Sequence, residues 1–185
     1  MLDREINSSL ALHVLQEHHA KELFSVVDAN RAHLRRWLPW LDDNQHEEDS
    51  AAFIRGRLKL AAESKCVTCG IWHEGSLCGV IGHNDIKWSD QATELGYWLA
   101  EGKQGKGIMT NCCRAMIDHA FADYALNRIV IKVATQNLKS QAIPDRLGFT
   151  REGILRDDGW LYDHFVDHTV NGLLRREWFI PDYDE

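Results

Sequence analysis

The sequence predicts an α/β fold with a mixed central sheet of about seven strands and helices on both faces. Three observations predict it. Short runs rich in β-branched and aromatic residues alternate with longer segments of helical spacing. A glycine-rich turn joins one of those runs to the clearest helix in the chain. The composition is that of a packed globular protein, 44% hydrophobic and 26% charged over 185 residues, with no repeat or low-complexity tract. Residues 1–185 are therefore expected to form a single domain around one sizeable core.

The elements follow in order. Leu10 to Leu15 reads as a short edge strand. His18 to Asn30 carries Ala20, Leu23, Phe24 and Val27 at helical spacing. Pro39 ends any helix near Leu38, because the residue before proline is pushed out of the α region. Asn44 followed by Glu47 resembles a capping box, which starts a helix from about His46 to Glu63. Cys66 to Trp72 and Leu77 to His83 are strands joined by the hairpin-like turn His73-Glu74-Gly75-Ser76. Thr93 to Leu99 is a further strand. Thr110 to Tyr124 keeps Cys113, Met116, Ile117, Ala120, Phe121 and Tyr124 on one stripe, the mark of a helix packed on a sheet. Arg128 to Ala134 (RIVIKVA) is a strongly β-branched strand. A short helix runs toward Leu147, where Gly148 stops it. Phe149 to Leu155 and His164 to Leu174 are the last two strands. The strand–helix–strand unit from Thr93 to Ala134 is expected to be a right-handed parallel crossover.

Bulk properties exclude several function classes. A formal net charge of -7 argues against binding nucleic acid and tolerates a cationic partner. The start Met1-Leu2-Asp3-Arg4-Glu5 is no signal peptide. No apolar run approaches the roughly 20 residues that span a bilayer. A cytoplasmic protein with no membrane partner is the expectation. Five cysteines leave at least one thiol unpaired within the chain, so a disulfide framework is not expected. Cys66 and Cys69 form a CxxC, but no second pair follows, and strand residues three apart point to opposite faces. No metal is expected. His164 and His168 read as structural or rim residues.

The informative segment is Leu95-Gly96-Tyr97-Trp98-Leu99-Ala100-Glu101-Gly102-Lys103-Gln104-Gly105-Lys106-Gly107-Ile108-Met109. A strand ends near Leu99, a glycine-rich turn follows, and a helix begins around Ile108. Glycines let the backbone fold closely around an anion, and the N–H groups of the helix start then face it, aided by the helix dipole. Lys103 and Lys106 add positive charge. This arrangement predicts a phosphate or pyrophosphate ligand. The P-loop pattern GxxxxGK[ST] and the dinucleotide pattern GxGxxG are both absent.

Gln104-Gly105-Lys106-Gly107-Ile108-Met109 resembles the pyrophosphate-arm motif of the GNAT acetyltransferases, Gln/Arg-x-x-Gly-x-Gly/Ala, with Met109 departing at the last position. Asn137-Leu138-Lys139-Ser140, followed by Leu147-Gly148-Phe149, resembles the family's later motif at the family's spacing. Glu94 to Leu99, with Arg35-Arg36-Trp37-Leu38-Pro39-Trp40, looks like the branch that acetylates N-terminal serine or alanine of ribosomal proteins. The resemblance runs from roughly Leu10 to Trp178.

The resemblance implies a GNAT fold in which two central parallel strands, Thr93 to Leu99 and Arg128 to Ala134, splay apart to admit acetyl-CoA. Pantetheine would pair with the backbone near Tyr97, Trp98 and Leu99. The pyrophosphate would sit on N–H groups from Gln104, Gly105, Lys106, Gly107, Ile108 and Met109, with Asn137 and Ser140 also at the cofactor. Many members protonate the departing thiolate with a tyrosine in the helix after Asn137. Pro144 stands at that spacing, so Ser140 is the candidate acid, against a simple helix-capping role. The branch's usual glutamate position matches Gly159, which leaves Asp158, beside Asp157, and Glu94 as candidate bases. An α-amine, with a pKa of about 7.7–8.0, needs less help from a base than a lysine near 10.4. Trp37, Trp40, Trp160 and Tyr162 are candidates to line the acceptor groove. The implied acceptor is the N-terminus of a protein such as a ribosomal protein; the alternatives are a small amine, or a regulator that binds acyl-CoA without turnover. Pairing of such members through sheet edges implies a homodimer.

Overall fold

The computed structural model describes residues 3–178; Met1, Leu2 and residues 179–185 of the expected single domain lie outside the described residues. The sheet has eight strands: β1 (Asp3–Asn7), β2 (Leu10–Val14), β3 (Val67–His73), β4 (Ser76–Lys87), β5 (Ala92–Leu99), β6 (Arg128–Ala134), β7 (Thr150–Leu161) and β8 (His164–Leu174). Their order across the sheet is β1-β2-β3-β4-β5-β6-β8-β7. The extra strand is β1. Its sequence, DREIN, has one large apolar residue and alternates exposed with half-buried positions, so it carries almost no hydrophobic signal. It takes the edge that the sequence assigns to β2, and β2 pairs on both sides.

The helices cover two faces. Helices α1 (Ala20–Ala29) and α3 (Glu47–Ala62) lie on one face; α4 (Ile108–Asp118) and α5 (Leu138–Arg146) lie on the other. A four-residue helix α2 (Arg31–Leu34) leads into the loop toward Trp40. The α4 face buries Ile81, Leu95, Ile129 and Ile131 against Cys112, Met116 and Ile117. The α1–α3 face buries Leu23, Val27 and Ile54, with Trp40 and Trp98 packed at its margin. Odd positions of β5 thus point to α4, and Glu94, Gly96 and Trp98 point the other way.

Local chemistry sets the boundaries. The cap of α3 lies later than the Asn44–Glu47 pattern suggests. The Asp49 carboxylate accepts the N–H groups of Gln45 (2.9 Å) and His46 (2.8 Å), and Asn44 instead donates to the Ser50 hydroxyl. Those two N–H bonds hold Asp49 below the usual carboxylate range. Helix α4 starts at Ile108, where the glycine-rich turn is expected to end, and passes into a π-helical turn at His119–Asp123. Gly148 (φ 78°) takes the left-handed conformation that stops α5. Strand β7 runs six residues beyond Leu155, because a bulge at Arg156, Asp157 and Asp158 carries its charged stretch without ending it.

One parallel pair organises the sheet. Strands β5 and β6 pair only at Ala92↔Arg128, Thr93↔Ile129 and Glu94↔Val130. Beyond Glu94 they diverge. Leu95 to Leu99 stay paired to β4, and Ile131 to Ala134 stay paired to β8. The inner edges of both strands therefore present backbone N–H and C=O groups to the opening, groups that need partners. A register shift in β4 between His83 and Ile86 falls beside the branch point. Bulges bend and twist the strand that carries them, which suits this position.

Candidate active site

The glycine turn sits at the mouth of the fork. After β5, a 3-10 turn at Glu101–Lys103 leads through Gln104 and Gly105 (φ 75°) to Gly107 (φ 74°), which caps α4. Two left-handed residues in three explain the glycines: an L side chain there is strained. A Cβ on Gly105 would meet no protein atom within 4 Å, and one on Gly107 would reach only the Asn111 amide at 4.0 Å. The turn is open on that side, as an anion cradle must be. The first N–H groups of α4 have no helical partner and point into the cradle. The Met109 side chain is buried in the α4 core, so its bulk points away from the cradle.

The cations are distributed differently from the sequence reading. The Lys103 ammonium lies 3.3 Å from the Glu74 carboxylate and 3.1 Å from His73 Nδ1, so its charge is largely met. Lys106 is exposed on the turn. Lys139, from α5 across the mouth, donates to Gln104 Oε1 at 3.0 Å, a neutral partner. The Gln104 amide nitrogen is 3.0 Å from His33 Nε2. Burial lowers the His33 pKa, opposed by Glu101, so the ring is neutral near pH 7 and can accept that amide N–H. One side chain of the turn thus joins α2, α5 and the cradle.

Within the fork, Asn137 caps α5 by accepting the Ser140 N–H at 3.3 Å. The Ser140 hydroxyl is therefore not needed as the cap. It lies 3.4 Å from the Tyr97 hydroxyl, which in turn lies 3.4 Å from the Ser140 carbonyl. Tyr97 reaches from β5 to α5 across the opening, a side-chain link that no sequence spacing signals. Burial pushes its phenol up, so it stays protonated. Pro144 is buried inside α5.

The two candidate bases differ. Glu94 is the last paired residue before the strands part, and its side chain is on the face opposite α4. It makes no ion pair or side-chain hydrogen bond among the described residues. Asp158 is held in the β7 bulge, 3.2 Å from His168 Nδ1 and 3.5 Å from Lys132 Nζ.

Two cavities flank the fork. A groove of about 970 Å³ lies between Arg35, Arg36 and Trp37, the end of β6, and the β7–β8 hairpin. A cavity of about 480 Å³ lies under α3, lined by Trp40, Phe53, Arg57, Asn84, Gly96 and Trp98 among others. The Tyr162 hydroxyl, in the hairpin turn, donates to the Leu38 carbonyl at 2.6 Å and lies between them. Arg35 stacks 3.8 Å from the Tyr162 ring and binds Asp42 through two nitrogens. Trp37 and Tyr162 thus share the larger groove, and Trp40 belongs to the smaller. Trp160 is not brought to either: it is 53% exposed and packs edge-on against Phe165 on the outside of the hairpin.

All five cysteines are buried, and burial pushes the Cys69 and Cys112 thiols up to about 12, away from the thiolate that a metal or a nucleophile needs. Among the described residues no cluster of three or more His, Cys, Asp or Glu could hold a metal ion, and no helix is long and apolar enough to cross a membrane.

The fork and its cradle have counterparts in known proteins. Residues 9–150 match the model of the Acetyltransferase (GNAT) domain. The chain is 34% identical over 163 residues to the ribosomal-protein-serine acetyltransferase of Escherichia coli (strain K12), covering 88% of this chain and 91% of that one. The solved structure of RimL, a ribosomal L7/L12 alpha-N-protein acetyltransferase in complex with coenzyme A, superposes with a TM-score of 0.90 at 26% identity, over 94% of this chain and 98% of that one. The microcin C7 self-immunity acetyltransferase MccE, in complex with acetyl-CoA and AMP, superposes with a TM-score of 0.87 at 28% identity, over 91% and 94%. With its splayed parallel strands, its glycine cradle and a family match over most of its length, this chain belongs to the GNAT N-acetyltransferases.

Proposed function

We propose that this chain, as a single domain of residues 1–185, transfers an acetyl group from acetyl-CoA to the N-terminal α-amine of a protein, with ribosomal proteins as the leading acceptors. The observation that carries it is the fork: a slot edged by backbone donors and acceptors, entered past an anion cradle and flanked on its far side by aromatic cavities. The similarity to enzymes named for ribosomal-protein acetylation supports the acceptor class.

Acetyl-CoA supplies an activated acetyl thioester. The backbone edge of Tyr97, Trp98 and Leu99 suits pantetheine amides, and N–H groups from Gln104 to Met109 suit the pyrophosphate, joined by Asn137 and by Lys139. A β5 N–H in the slot polarises the thioester carbonyl. Glu94 takes a proton from the attacking amine; the new C–N bond forms as the C–S bond breaks; Ser140 returns a proton to the sulfur, with the Tyr97 phenol behind it. Asp158, already paired with Lys132 and His168 and lining neither cavity, is less suited to be the base.

The test is acetylation of a peptide panel bearing ribosomal-protein N-termini, beside free polyamines, aminoglycosides and amino acids, with the modified nitrogen located by mass spectrometry. α-Acetylated peptides are expected. Ser140→Ala and Glu94→Gln are each expected to lower kcat on the order of 100-fold. Acetylation of small amines alone would move the acceptor class. Tight acetyl-CoA binding with no turnover on any amine would make the chain a regulator.

A further inference from the structure

The smaller cavity contains a cation whose charge no described carboxylate meets. Arg57 reaches inward from α3. Its Nε donates to the Thr68 hydroxyl at 2.7 Å, and Nη2 lies 3.4 Å from both the His83 carbonyl and the Asn84 side-chain oxygen. All three partners are neutral, and Arg57 makes no ion pair among the described residues. Arg55, two residues earlier on the solvent side of the same helix, pairs with both Glu17 and Glu48. The protein therefore supplies carboxylates where water already screens the charge and omits them where the guanidinium is half-buried in a cavity. A partly desolvated, uncompensated guanidinium is costly unless an anion joins it.

Its position relates it to the reaction. A Cβ on Gly96 would strike the Asn84 amide nitrogen at 2.3 Å. Glycine at this point of β5 lets that amide lie over the strand, beside Arg57 and on the face of Glu94 and Trp98. The polar patch Arg57–Asn84 is thus built against the stretch where the acetyl group is proposed to lie. Asp43 and Asp49 line the same cavity, but neither pairs with Arg57, and the Asp49 carboxylate is engaged by the Gln45 and His46 N–H groups.

We infer that Arg57 and Asn84 form a carboxylate subsite, so that the preferred acceptor carries a carboxylate close to its reacting amine. This rests on the acetyl-transfer reading above. The carboxylate is either an acidic side chain near a protein N-terminus or the acid group of a free amino acid, and the geometry of a guanidinium fork suits both.

The test compares acceptors that differ only in charge: peptides with Asp or Glu against Asn or Gln at the first and second positions, and free amino acids against the same amino acids with the α-carboxylate converted to its amide. Each is assayed with acetyl-CoA and the unmodified protein. Acids are expected to exceed amides in kcat/KM by roughly 10- to 100-fold. A preference among peptides places the carboxylate on a protein chain; one confined to free amino acids places it on a small molecule. Arg57→Gln is expected to bring the acid-to-amide ratio close to one. Equal use of acids and amides by the unmodified protein overturns the inference while leaving the transferase reading intact. So does an Arg57→Gln variant that loses activity on both alike and keeps its ratio, because that is the mark of a bracing role. Failure of every acceptor, acid or amide, counts against acetyl transfer itself.

Discussion

The two sides of the fork are made of different material. The side proposed for the cofactor is built from backbone: two left-handed glycines, the first turn of α4 and the inner edges of β5 and β6. These groups come from one stretch, Ala92 to Ala134, and their positions follow from secondary structure alone. The side proposed for the acceptor is built from side chains that arrive from far apart. The Tyr162–Leu38 bond spans 124 residues of sequence, and the polar patch at Gly96 combines α3, β3 and β4. Backbone geometry suits a cosubstrate that never changes. Side chains can be exchanged one at a time without disturbing it, and acceptor preference is what such exchanges tune.

The contrast can be broken most directly at Gly107. Gly107→Val places a β-branched residue at φ 74° and is expected to weaken acetyl-CoA binding roughly 10- to 100-fold, read by calorimetry on a sample whose circular dichroism is unchanged. Unaltered binding by a folded variant would remove the turn from the cofactor site. A smaller effect is expected on the other side. Tyr162→Phe deletes the bond to the Leu38 carbonyl, worth about 1 kcal/mol, and should raise the acceptor KM by about fivefold in steady-state kinetics. A comparable loss of acetyl-CoA affinity would show that the two sides are not separable. A third effect lies beneath both. His83 is fully buried against α4, stacked on His119, with Nε2 at 3.2 Å from the Met116 carbonyl. Burial, with His119 beside it, pushes its pKa down to about 3. The unfolded chain takes up a proton near pH 6.5 that the folded chain refuses, so stability falls as pH drops below 6.5 toward 3. Between pH 7 and pH 5 this amounts to about 2 kcal/mol. Urea unfolding of His83→Leu should show a shallower pH slope, whatever its midpoint; an identical slope would assign the loss to other groups.

The same division explains what could be read in advance. Strand β6 carries its own signature, RIVIKVA, and occupies the expected Arg128–Ala134. The glycine turn and Asn137 sit where local motifs put them, because caps and turns are written in adjacent residues. The charged stretch Arg156-Asp157-Asp158 hid the second half of β7, since a bulge lets a polar run continue a strand. Tyr97 facing Ser140, Lys139 replacing Lys103 beside the turn, Arg57 within a cavity and Trp160 on the outside are all outcomes of packing. The first three depend on residues more than ten apart, Trp160 turns outward against Phe165 in its own hairpin, and no spacing rule predicts any of them.

The order of the strands has a consequence for how the chain is made. Strand β8, last in sequence, inserts between β6 and β7. While a ribosome is still producing it, β7 has no neighbour in the sheet and β6 keeps a bare, β-branched edge along Arg128–Ala134. Tyr162, which lines the larger groove, is carried by the same late hairpin. A nascent chain can thus form the glycine turn before α4 well before the hairpin that carries Tyr162, and the β6 edge is covered only when that hairpin is complete.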